Sequence, residues 1–142
     1  MVAIKQSGLG MTVLSVDDSA GSPQPIINDI TNFSFSTPRG VQDVTGVDKS
    51  AIERILLLAD FSITLNGAAD FQANFAHDVF KTVPSTSVNR TTTITFAVSG
   101  GGTKTLANEV LYTDYAITRG QDGSLLWSAP GVLQGGVVPT WT

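Results

Sequence analysis

The chain has 142 residues, with eight Lys and Arg against twelve Asp and Glu, a net charge of −4, 14% charged residues and 42% hydrophobic ones. That length suits one domain over residues 1–142, with a core large enough to stand without cross-links. The absence of Cys and the single histidine, His77, exclude a disulfide scaffold, thiol catalysis and multi-histidine zinc sites, and the acidic balance argues against tight phosphate-backbone binding.

Strand patterning dominates the chain. Two early strands are expected at Val2–Gln6 and Met11–Val16, followed by a solvated connection from Asp17 to Pro25. Asn32–Ser36 alternates, with Phe33 and Phe35 on one face. Pro38–Ser50 is a long, polar stretch without periodicity and is read as a functional or mobile loop. Ser50-Ala51-Ile52-Glu53 has the form of a capping box, which predicts a short helical turn. The run Ile55-Leu56-Leu57-Leu58 has no polar face, so it is either buried on both sides or covered by a partner.

Ala59–Asn66 is the cleanest strand, with Ala59, Phe61, Ile63 and Leu65 alternating with polar residues, and Asn66-Gly67 reads as a turn. One helix is predicted over 74–83. Phe75, Ala76, Val79, Phe80 and Val83 share a face, Asn74 can cap the start, Pro84 ends it, and His77, Asp78 and Lys81 form the polar side. Thr93–Val98 and Thr103–Ala107 flank the turn Gly100-Gly101-Gly102. Val110–Arg119 is β-rich, and Gly120-Gln121-Asp122-Gly123 links it to a strand from Ser124 with Leu125 and Trp127 on one face.

No nucleophile motif, phosphate loop, metal-binding motif or calcium loop is present, so no enzyme activity and no cofactor are expected. No apolar run approaches the ~18 residues that a membrane helix needs. The low charge fraction, against ~25% in ordinary soluble domains, points to surface that meets other protein.

The order of segments carries a resemblance. Asp43-Val44-Thr45 is followed by Asp48, Ser50 and Arg54, then by the Phe61–Gly67 strand and the 74–83 helix. The chain closes with Gly131-Val132-Leu133-Gln134-Gly135-Gly136 before Val138-Pro139-Thr140-Trp141. This pattern, over about residues 28–142, resembles the major tail tube proteins of long-tailed, siphovirus-like bacteriophages. Gly46 and Leu57-Leu58 depart from the family's pattern.

The resemblance implies a mainly β fold, an antiparallel sandwich or barrel-like domain with one flanking helix. It implies a structural virion protein that assembles in the host cytoplasm into hexameric rings stacked head to tail. The rings form a tube through which DNA passes without sequence-specific binding. It also implies tape-measure, tail-tip and tail-terminator proteins as partners. Arg39, Asp43, Asp48, Lys49 and Arg54, in and beside the long loop, are the expected subunit contacts. A monomeric β-sandwich binding or adhesion module, for a carbohydrate or protein ligand, shares the same strand content and stays open as the alternative.

Overall fold

The computed structural model describes residues 5–142. The chain runs β1 (Met11–Asp17), β2 (Pro23–Pro25), β3 (Ile30–Ser36), β4 (Arg39–Asp43), β5 (Arg54–Ala59), β6 (Ser62–Ala68), α1 (Ala76–Phe80), β7 (Arg90–Ala97), β8 (Thr103–Tyr112), β9 (Ala116–Arg119) and β10 (Leu125–Leu133). Eight strands form one antiparallel sheet, in the order β2-β1-β7-β8-β10-β6-β3 with β9 beside β10, while β4 and β5 pair only with each other. The expected strand at Val2–Gln6 lies mostly outside the described residues, and Lys5 and Gln6 are not in a strand.

β10 organises the sheet. Along one edge it pairs with β6 over nearly its whole length. Along the other edge Leu125–Ser128 pairs with β9, and Gly131–Leu133 pairs with β8. The β-rich stretch Val110–Arg119 is therefore two strands, broken at 113–115 where the chain leaves one layer for the other. The result is two layers, β2-β1-β7-β8 and β9-β10-β6-β3, joined where β8 meets β10. Alternating residues from both layers fill one core, including Leu14, Val16, Ile94, Leu106, Val110, Ile63, Leu65, Trp127 and Ala129. Beyond the β10 contact, β8 takes the C-terminal residues as its neighbour. Thr105 and Thr142 exchange two backbone bonds of 2.9 Å, and Trp141 reaches Phe35 on β3 at a ring separation of 6.0 Å. The tail thus closes the opening between the layers.

The helix is shorter than its apolar periodicity predicts. Ala76, Val79 and Phe80 are buried as expected, and Phe80 packs against Tyr112, Trp127 and Tyr115 at 5.0, 5.3 and 5.8 Å. Asn74 does not cap it. Asn74 adopts a φ of 69°, and its N–H donates to the Asp78 carboxylate at 2.9 Å. The Ala76 N–H at the first turn is instead satisfied from a distance, by Asp29 Oδ2 at 3.0 Å. His77 is not on a solvated polar face. Its ring lies against Phe71 and bonds the Tyr115 hydroxyl at 3.1 Å.

Two polar side chains are buried to fix loops. Arg90 is 2% exposed, and its guanidinium donates to the Asp17 carbonyl at 3.2 Å and to Thr82 Oγ1 at 2.9 Å. It ties the turn after α1 to the end of β1. Asp29 anchors α1, and burial, reinforced by the neighbouring Asp70 carboxyl, raises its pKa above the ordinary 3.8.

Asn66-Gly67 is not a turn. Both residues lie inside β6, and Gly67 pairs with Ile30 and Trp127. Glycine is required by close approach, because a methyl group there would fall onto the Asp29 carbonyl oxygen and the Trp127 indole nitrogen. Gly100, Gly101 and Gly102 do form the expected turn between β7 and β8, all with positive φ.

Two outcomes follow. Gly67→Ala forces backbone apart and should cost at least about 2 kcal/mol, read as a lower urea midpoint with an unchanged slope. Asp29 holds its proton more tightly folded than unfolded, so its contribution is fully present below pH 3.8 and lost as pH rises through the raised value. Asp29→Asn keeps an acceptor for the Ala76 N–H. It should therefore gain on the order of 1 kcal/mol at neutral pH, a gain that fades as the pH falls toward 3.8 in parallel urea titrations.

Candidate assembly surface

The segment from Pro38 to Asp60 leaves the body as an arm. β3 leads into β4, β5 leads back into β6, and the base is clamped where the Asp60 N–H donates to the Pro38 carbonyl at 3.0 Å. The expected loop over 38–50 is thus half strand. Arg39–Asp43 pairs with Arg54–Ala59 in the register Val41 to Leu56, Gln42 to Ile55 and Asp43 to Arg54, and only the tip between Val44 and Glu53 is loop. The uninterrupted strand expected from Ala59 is broken at Asp60, where the arm meets the body.

The capping-box turn does not form. Thr45 captures Glu53 instead, with its hydroxyl accepting from the Glu53 N–H at 2.8 Å while the Val44 N–H donates to the Glu53 carbonyl at 3.0 Å. This hairpin closure competes with the helical cap for the same backbone groups and wins.

All five sequence-predicted residues lie on this arm. Two of them are engaged within it. Arg39 Nε donates to the Leu57 carbonyl at 2.8 Å. Asp43 Oδ1 accepts from the Thr45 N–H at 2.9 Å and the Thr45 hydroxyl at 2.6 Å, and these bonds hold its carboxyl below the ordinary range. Lys49 sits 3.8 Å from both Asp48 and Glu53, an exposed cluster worth little by itself. Arg54 lies across from Asp43 yet makes no ion pair among the described residues. From Arg39 to Ala59 the arm holds three cations and three anions, so the rest of the chain, Asp60 at the arm's base included, carries the net charge of −4.

The larger feature is apolar. Strand alternation puts Val41, Leu56 and Leu58 on one face of the hairpin and Ile55 and Leu57 on the other, and all five are exposed, Leu58 to 91%. Val44, Val47 and Ile52 are exposed around the tip. The run Ile55–Leu58 is therefore not buried on both sides within its own chain. A two-stranded hairpin is marginal in water without a face to pack on, and this one offers oil on both faces. These apolar side chains, not the charges, dominate the surface. The sequence signal was the absence of a polar face at 55–58.

Removing the tip's internal bonds should loosen the tip alone. Asp43→Ala is expected to speed amide exchange at Thr45 and Glu53 and leave the body's unfolding midpoint unchanged, because no body residue touches that carboxylate.

No protein-family model matches the sequence, and neither does any curated protein. Solved structures do match. A chain of the tail of an empty gene transfer agent particle, refined with C6 helical symmetry, superposes with a TM-score of 0.71 at 14% identity over 97% of this chain and 99% of that one. A chain of the native gene transfer agent virion gives 0.67 at 14% identity over the same shares. The chain shares the fold of those particle chains along nearly its whole length.

Proposed function

We propose that the chain is a structural subunit of a phage-like tail, assembling with copies of itself into rings that stack into a tube. The observation that carries this reading is the arm, a detached hairpin apolar on both faces. Each of its aliphatic side chains gains about 1.5–3 kcal/mol when fully buried. Covering both faces takes a slot between neighbours, and no single flat partner supplies one. Being charge-balanced, the arm can lie against an acidic neighbouring body without electrostatic cost.

The sheet supports closure as well. β3 and β9 are the two edges of one layer, and their outer backbone edges have no strand partner among the described residues. Unpaired edges of this kind invite another strand, and joining them head to tail around a ring removes both. Sixfold symmetry is a property of the similar tail, and we extend it to this chain. On this reading the tube is a passage for DNA in a virion tail built in the host cytoplasm, with tape-measure, tip and terminator proteins as further partners and no reaction catalysed. Arg39, Asp43 and Lys49 shape the arm, Asp48 sits at its tip, and Arg54 is the charge left to pair across a subunit boundary.

The test removes the arm's hydrophobicity. Leu56→Asp with Leu58→Asp should abolish tubes and rings in negative-stain micrographs and change the body's unfolding free energy by less than about 0.5 kcal/mol, since both side chains are exposed. Tubes of normal length from that variant would overturn the assignment. A wild-type chain that stays monomeric at high concentration, even with tail-tip seeds, would favour the monomeric binding module.

A further inference from the structure

The outer edge of β8 is closed in two places that disagree in register. Toward its end, β8 pairs with β10 as far as Val110 and Leu133, and the Gln134 N–H donates to the Glu109 carbonyl at 2.9 Å in the same register. Toward its start, Leu106 bridges Trp141, and Thr105 and Thr142 exchange their two backbone bonds. Between these contacts β8 spends two residues, Ala107 and Asn108, and the C-terminal segment spends six, Gly135 to Thr140. Four residues of that segment are therefore looped out over a short stretch of open sheet edge.

The loop leaves the edge beneath it unfinished. Thr105 and Glu109 both direct backbone groups at the C-terminal segment, so by strand alternation Ala107, midway between them, does too, and it has no partner there among the described residues. A cavity of about 310 Å³ lies between edge and loop, walled in part by Ala107, Asn108, Leu133, Val137, Val138 and Thr140. Asn108 is 8% exposed, and its Nδ2 is the one buried side-chain polar atom among the described residues without a hydrogen-bond partner. Orphaned buried donors of this kind are rare in folded proteins. Val137 and Val138 meanwhile lie exposed on the loop.

The same sequence fits the same edge in a second way. Carried on without the loop, β10 would place Gly135 opposite Asn108, Gly136 opposite Ala107, Val137 opposite Leu106, Val138 opposite Thr105 and Pro139 opposite Lys104. A shift of four positions is even, so every residue keeps its face, and Val137 would point inward where Trp141 does now. Gly136 would take up the free backbone groups of Ala107, and Val138 the two bonds of Thr105 that Thr142 now makes. Pro139, which has no N–H to give, would fall opposite Lys104, whose backbone groups face β7. Gly136 supplies the hinge. Its φ is 67° in the loop and would be extended in the strand, two conformations that glycine alone visits freely.

We propose that residues 134–142 are a register switch on β8, looped in the free subunit and continuous with β10 once a second copy covers the root of the arm. The link runs through Val138. In the looped register Val138 stands beside the arm's root and lines one groove with Leu56, Leu57 and Leu58. In the continuous register it lies on β8 and leaves that groove to the neighbour. The neighbour thus binds the continuous register better, which is the condition for a partner to shift a two-state equilibrium. Four residues of strand advance the chain end by about 13 Å, drawing Trp141 off Phe35 and past the start of β8, where the second copy can take its ring. What drives the switch rests on the tube reading; the existence of the two registers does not.

The registers differ in which residues meet. Lys104→Cys with Pro139→Cys puts two thiols opposite each other in the continuous register alone, in a closely spaced pair about 4.5 Å apart at Cα that a disulfide can span. The chain has no other cysteine. Under one glutathione buffer, the disulfide should form about tenfold faster in assembled tubes than in free subunits. Equal rates in tubes and free subunits, or no disulfide in either, overturn the proposal. Deleting Gly135–Val138 is the complementary variant, since it removes four residues and leaves Trp141 in register with Leu106. It should keep the wild-type unfolding midpoint and form no tubes in negative-stain micrographs, and tubes of normal length from it would also overturn the switch. Should the deletion fail to fold, the thiol pair decides alone. If the wild-type chain forms no tubes, the tube reading falls by itself. The thiol pair in free subunits then still decides, because slow disulfide formation keeps the second register and its absence removes it.

Discussion

The structure turns on a hairpin that its own body cannot cover. Every long strand of the two layers spends its inner face on one core, and the tail residues Trp141 and Thr142 close the remaining gap. No inner surface is left over for Ile55, Leu56, Leu57 and Leu58. A lone chain therefore pays for its arm in exposed hydrocarbon, and only association returns that cost. Selection keeps such a segment where association is the point.

The arm is effective because its base is stiff. Its strands are continuations of β3 and β6, which are neighbours over six paired positions, and Pro38 and Asp60 clamp the exit. The body beneath is pinned at Gly67, where backbone, indole and a buried carboxylate's own carbonyl crowd together, and at Arg90, which locks the turn after α1. A rigid body with one projecting element positions its partner through few degrees of freedom. Less conformational entropy is then lost when copies join.

The strands that bury one face were legible in the sequence. Phe61, Ile63 and Leu65 alternate because half of β6 faces the core, and Gly100–Gly102 must be a turn because three glycines in sequence offer little else. The helix was legible as an apolar arc at Ala76, Val79 and Phe80, but its cap was not, since Asp29 reaches it from far along the chain. Asn66-Gly67 misled because a glycine needed for close packing has the same letter as one needed for a turn. The hairpin was hidden for a related reason. Polar and apolar residues alternate along a strand only when one face is buried in its own chain, and β4 and β5 have no such face. Of the site, the five charged residues all lie on the arm, and the apolar run beside them was legible as a segment either buried on both sides or covered by a partner, because it has no polar face.

Charge distribution links these observations. The arm is balanced, the β9-β10-β6-β3 face is neutral, and the negative excess sits on the remaining body, including Asp17, Asp18 and Glu109. Few charges in total could mean only that a chain is apolar. Here they are unevenly placed: the arm's charges cancel, and β3, β6, β9 and β10 together hold only Arg119. The arm gives up net charge so that it can be buried.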